Sequence, residues 1–198
     1  MDEGRLSGEY LSDRRAEYLE RAMYVCPYCG LAEFESSGNV IECKSCGRKI
    51  EYGTDKSLKG IGFDFPFRFV TEWYDYQESF VRALDLDAYL EKPLFTDTAD
   101  MYQVRLYKKK LRLREEAKLS LYGDRVVVDE GSENELALGF GEADALAVLG
   151  RNKFNVYYEG NVYQFKSGKR FNALKYVNLF YRHGIMTGRF PADSYLGV

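Results

Sequence analysis

Apolar and polar positions follow two different periods along the chain, and the change between them sets its organisation. Residues 9–23 contain no Pro or Gly, and Ser12 is placed to act as an N-cap, so this stretch predicts a helix. Leu31–Glu42 carries apolar residues on either side of Ser37-Gly38-Asn39 and predicts two short strands joined by a turn. Residues 55–65, with Gly60 and Gly62, read as a connector. Pro66 then opens a second helix that runs to about Leu84, since proline suits a first helical position. On it Arg68, Glu72, Asp75, Ser79 and Arg82 form a polar stripe between two apolar ones, Phe67/Val70/Tyr74/Val81/Leu84 and Phe69/Trp73/Tyr76/Phe80. So wide an apolar surface predicts a helix packed on two sides. A helix lying in a membrane interface is the alternative, but the polar stripe lacks Lys and holds several acids, which favours core packing.

From about residue 101 the period falls from 3.6 to 2. Leu119–Tyr122 and Arg125–Val128 flank Gly123-Asp124 as a hairpin, Glu135–Phe140 and Ala145–Gly150 are further short strands, and Lys153–Glu159 and Asn161–Lys166 make another hairpin. A last helix, about Lys169 to Arg182, buries Phe171, Ala173, Leu174, Val177, Phe180 and Tyr181 and stops at His183-Gly184. Six or seven short strands followed by one amphipathic helix predict a small bent sheet or open barrel with the helix closing one end. Over about 100–183 this order resembles the pleckstrin-homology superfold, including its GRAM-like variants. The expected class is α+β: an N-terminal helix and small four-cysteine β ribbon (1–62), a linking amphipathic helix (63–98), and a pleckstrin-homology-like β domain closed by a C-terminal helix (99–198).

The cysteines read Cys26-Pro27-Tyr28-Cys29-Gly30 and Cys43-Lys44-Ser45-Cys46-Gly47. Two CxxC pairs at this separation form the ligand pattern of a structural zinc ribbon, with Cys26, Cys29, Cys43 and Cys46 as thiolate ligands. Two intervening residues let a tight turn aim both sulfurs at one ion, and Gly30 and Gly47 allow the positive φ such turns use. A module of about 40 residues seldom holds together by its core alone, and a metal completes it. The alternatives are disulfides within each pair, which suit a secreted chain, and a redox CxxC, which two matched pairs fit poorly.

Composition narrows the function. Hydrophobic residues make up 45% and charged residues 30%, ordinary for a folded chain. No run approaches the ~18 apolar residues of a membrane span. The opening residues have neither a basic nor an apolar signal region, so a cytoplasmic location is expected. The net charge of −3 argues against a protein that coats nucleic acid, and residues 24–60 balance to zero. Charge is nonetheless uneven: residues 61–100 carry net −6 and residues 101–118 net +5. The basic residues concentrate in Lys108–Arg114, where alternate residues of a strand put Lys108, Lys110, Arg112 and Arg114 on one face and Leu111 and Leu113 on the other. Such a face reads as a surface for anionic lipid or phosphate, or as a solvated face neutralised by the acidic segment before it. For catalysis little is left. There is one histidine, His183, and no phosphate loop, dinucleotide fingerprint or nucleophile elbow. Four thiolates on one ion would leave no open position either.

The run Glu17–Gly30, the knuckle Cys43–Gly47 and the later Glu72-Trp73-Tyr74-Asp75-Tyr76-Gln77 resemble the C-terminal extension of certain clostridial 1-acyl-sn-glycerol-3-phosphate acyltransferases. In that family a catalytic domain precedes a cysteine ribbon, a Trp-containing helix and a β-rich tail. The resemblance implies phospholipid synthesis at the inner membrane face. Its partners would be the acyltransferase domain of a parent chain and an anionic membrane surface. The family signature, a histidine with an aspartate five residues on, is missing, because Gly188 stands at that offset from His183. No catalytic residue carries over, and the expectation is a non-catalytic accessory region. A zinc-ribbon adaptor or nucleic-acid-binding protein unrelated to lipid synthesis is the alternative.

Overall fold

The alternating residues around the cysteine pairs become strands in the computed structural model, which describes residues 8–105 and 109–197. The chain divides into two units, Met1–Arg82 and Ala83–Val198. In the first, β1 (Val25–Cys26) pairs with β2 (Gly30–Leu31), while β3 (Phe34–Ser37), β4 (Val40–Cys43), β5 (Lys49–Tyr52) and β6 (Leu58–Gly60) form an antiparallel sheet in chain order. Ser37 pairs with Val40 across the expected turn at Gly38-Asn39. Phe34, Ile41, Ile50 and Leu58 supply its core together with Met23, Ala32, Cys26 and Cys43.

Helix α1 (Val70–Ala83) closes this unit, burying Trp73, Gln77 and Val81 at successive i+4 positions. It starts four residues after Pro66. The donors in front of it are met from its own first turn, where Glu72 Oε2 accepts the N–H groups of Arg68 (2.6 Å) and Phe69 (3.2 Å). The Trp73 ring meets Phe34 and Phe65 edge-on at 5.3 and 5.2 Å, and its Nε1–H donates to Val25 O at 2.9 Å. Buried Gln77 does the same work with a polar side chain. Its Oε1 accepts from Tyr24 N (2.7 Å) and Val25 N (3.1 Å), and its Nε2 donates to Ala22 O (2.8 Å). The helix is thereby hydrogen-bonded to the strand that carries Cys26.

The predicted helix over residues 9–23 does not form. These residues run as turns with a single 3-10 turn at Leu19–Arg21. Three donors go to remote partners, Ala16 N to Gly38 O (3.0 Å), Tyr18 N to Ser36 Oγ (2.9 Å) and Arg15 Nε to Tyr52 O (2.8 Å), while local bonds such as Glu17 N to Arg14 O (3.2 Å) and Leu19 N to Ala16 O (3.1 Å) close three-residue turns instead of α-helical ones. Tyr18 also sits at φ 73°, which no α-helix accommodates. Glu20, polar by type, is buried and accepts the Ser36 hydroxyl. Tertiary partners have overridden a local helical preference.

In the second unit seven strands form one antiparallel sheet: β7 (Phe95–Val104), β8 (Lys110–Leu121), β9 (Arg125–Val128), β10 (Leu136–Gly139), β11 (Ala143–Val148), β12 (Lys153–Tyr158) and β13 (Asn161–Lys166). Their order, β10-β9-β8-β7-β13-β12-β11, joins a four-strand meander to a three-strand meander through the β7–β13 pair. Both predicted hairpins are present, and the second turns at Glu159-Gly160, both at positive φ. Gly123, in the first, is the residue required there: a Cβ would lie 2.1 Å from Leu86 O.

Helix α2 (Leu174–Met186) follows the sheet, packs on β11 and β12, and begins five residues later than predicted. Asn172 caps it, its Oδ1 accepting from Leu174 N (3.0 Å) and Lys175 N (3.2 Å). Tyr176 stacks on Phe154 at 4.4 Å, and Phe154 stacks in turn on Phe165 at 5.0 Å. Every residue from Lys175 to Phe180 is buried, because the chain after α2 folds back over its outer face. There Asn178 Nδ2 donates to Leu196 O, and Phe190 packs so close that a Cβ on Gly184 would lie 2.2 Å from it. Lys175 is one of these buried residues; it ion-pairs with Asp97 on β7 at 2.8 Å, and the Tyr176 hydroxyl donates to the same carboxylate at 2.6 Å.

Candidate metal centre

All four cysteines converge. The first pair sits on the β1–β2 turn, where Cys26 faces Gly30 across the ladder and Gly30 takes φ 77°. The second closes the end of β4: Gly47 N donates to Cys43 O at 2.8 Å, and Gly47 takes φ 69°. Both glycines do what the spacing required of them. Lys44 N bonds Glu33 O and Ala32 N bonds Tyr24 O, which ties each knuckle to the chain beside it.

The four sulfurs lie within 4.8 Å of one another. Cys26 and Cys46 are 3.9 Å apart and Cys29 and Cys43 3.5 Å. A disulfide needs about 2.05 Å. The edge of a tetrahedron around metal–thiolate bonds of about 2.3 Å is about 3.8 Å, so the donor set has the size and chemistry of a four-thiolate metal site. Cys26 and Cys43 are buried within the core, Cys46 is half-buried and Cys29 exposed. Burial raises the Cys26 thiol, and burial with the neighbouring sulfurs raises Cys29. Cys46 differs. Burial pushes it up, but hydrogen bonds from the Arg48 backbone and side chain, and from Cys43 and Cys26, bring it down to about 7. Four sulfurs so close cannot all ionise without a cation among them.

The basic strand is a different kind of surface. Lys108 lies outside the described residues. On β8, Lys110 donates to Gln164 on β13, Arg112 pairs with Glu115 (2.9 Å) and Arg114 with Asp129 on the connection after β9 (3.0 Å). Leu111 and Leu113, on the face opposite the basic residues, are 43% and 41% exposed. His183 lies in the last turn of α2, half-buried, with its ring 5.8 Å from Phe140. No helix among the described residues is long and apolar enough to cross a membrane.

Arg48, Gln77 and Tyr28 were not singled out in the sequence, although Arg48 and Tyr28 lie inside or next to the cysteine pairs. Gln77 had a signal, since it lies four residues after Trp73 and four before Val81, on the stripe that is buried.

No family model matches the chain, and no curated protein matches it. Among solved structures it is similar to the Vps36 N-terminal PH domain, at 16% identity and a TM-score of 0.36, over 48% of this chain and 80% of that one. The seven-stranded sheet and its following helix stand on their own strand order.

Proposed function

We propose that the first unit is a zinc-held structural module, and that the chain is a non-catalytic accessory region whose second unit, of pleckstrin-homology-like order, serves as a docking domain. The carrying observation is the closed set of four sulfurs at tetrahedral spacing. Zinc favours four thiolates in this geometry, and a site filled by four protein ligands keeps no position for substrate. Cys26, Cys29, Cys43 and Cys46 would hold the ion, and its role there is to crosslink the two knuckles.

The resemblance to the acyltransferase extension supplies the parent class, a 1-acyl-sn-glycerol-3-phosphate acyltransferase whose catalytic domain this region would adjoin. Docking onto protein is favoured over docking onto anionic lipid by one observation: Lys110, Arg112 and Arg114 all engage partners within the second unit. Chain purified without chelator is expected to contain one zinc per molecule and to transfer no acyl group from an acyl donor to lysophosphatidic acid. Zinc-free protein would overturn the structural reading. Turnover abolished by a point change in this chain would overturn the non-catalytic one.

A further inference from the structure

The four sulfurs are not equally sheltered: Cys26 and Cys43 lie in the core, so the cluster meets solvent at Cys29 and Cys46. One side chain stands over that edge. Arg48, two residues after Cys46, is the group whose backbone and guanidinium bring the Cys46 thiol down. The same guanidinium lies 4.2 Å from the centroid of the Tyr28 ring, between the cysteines of the other knuckle, and 5.7 Å from that of Phe63. Tyr28 is itself held, its hydroxyl donating to Asp64 O at 2.5 Å and its ring edge-on to Phe63 at 5.6 Å. One planar cation therefore joins the second knuckle to the first across the open edge of the sulfur cluster.

We infer that Arg48 is a positioning residue for the metal, clamping the Cys29–Cys46 edge shut and setting the rate at which the ion leaves. The inference rests on the zinc reading above. Four thiolates around a divalent cation leave a net charge of −2, which the guanidinium offsets where solvent reaches. Arginine suits the task because its fork can donate to sulfur while its flat face lies on a ring, and an ammonium group cannot do both. Ion loss requires one sulfur to swing away first. Cys29 and Cys46 are the two with room to do so, and Arg48 restrains both, one directly and one through Tyr28.

The test is the rate of zinc transfer from the full chain to a chromophoric chelator, together with the thiolate-to-metal charge-transfer band of the cobalt-loaded protein. Arg48→Ala is expected to release zinc about 10–100-fold faster than the parent, in line with the loss of outer-shell partners elsewhere. Its charge-transfer band should shift while the tetrahedral d–d bands remain. Arg48→Lys and Tyr28→Leu, which each keep part of the clamp, should fall between Arg48→Ala and the parent. Lys44→Ala, on the same knuckle but paired only with exposed Glu35, should release at the parent rate. Release by Arg48→Ala within twofold of the parent overturns the inference, and so does faster release with an unshifted charge-transfer band and a lowered melting temperature, which would mark a merely structural residue. A parent chain that binds neither zinc nor cobalt overturns this inference and the zinc reading together. Binding with unchanged release overturns only the role of Arg48.

Discussion

The two units hold themselves together by opposite means. The first has a thin apolar core into which two of its four cysteines are built, so the sulfurs belong to the packing as well as to the site. The second encloses stacked aromatic rings between a seven-stranded sheet and α2, and covers the helix again with the chain that follows. The second closes on side chains alone, while in the first the zinc proposed above would crosslink two segments of the core, since Cys26 and Cys43 belong to it. The comparison teaches where sensitivity should lie: metal chemistry should decide the state of the first unit and packing that of the second.

The largest effect should come from removing one ligand. Cys26→Ser takes a thiolate from a centre of a kind worth roughly 10–16 kcal/mol of folding free energy at pH 7. The expected outcome is loss of order in the first unit alone. Trp73 is the chain's one tryptophan and is fully buried there, so its fluorescence reports that unit selectively. It should shift to the red, and a chelator should produce the same shift in the parent, while amide exchange protection persists in β7–β13. Simultaneous loss of both units would break the comparison.

The converse change should be smaller. Phe154→Ala empties the ring position between Phe165 and Tyr176 and is expected to cost about 3–5 kcal/mol. Thermal unfolding followed by amide exchange should show the second unit weakened, with zinc content and Trp73 emission unchanged.

The smallest effect concerns acid. Burial holds His183 below its usual pKa, with Arg189 acting in the same direction and Asp124, Glu142 and Asp87 against it. The unfolded chain therefore binds this proton more readily than the folded one. Its contribution is complete above the unfolded value of about 6.5 and is lost as pH falls from there through the lowered folded value. His183→Gln should flatten that part of the stability–pH curve of the second unit. An unchanged slope would show that the ring is solvated.

Much of the four-cysteine cluster was legible in advance, because the spacing is a local property: two residues between cysteines and a glycine after each pair define a knuckle wherever the chain goes. Most strands from β8 to β13 were legible for the same reason, since a period of two and a tight turn are written within a few residues of one another, whereas β7 begins at Phe95, inside the stretch read as the linking helix. Local reading failed where the partner was remote. Residues 9–23 have a helical composition, yet Ala16 N, Tyr18 N and the Arg15 side chain are taken by Gly38, Ser36 and Tyr52, and the rest closes into short turns. The alternation of Lys110–Arg114 put basic residues on one face and Leu111 and Leu113 on the other, but spacing could not say that the leucines too would be exposed.

By itself, then, the sequence determined which side chains could gather around an ion and where strands and helices could run, because both follow from spacing along the backbone. Only the tertiary structure decided which polar groups would be buried. Gln77 lies inside because the backbone of Ala22, Tyr24 and Val25 presents it with partners, and Lys175 because Asp97 stands opposite. A buried polar side chain is stable only when its hydrogen-bonding groups are met, and the groups that meet these two lie dozens of residues away in the chain.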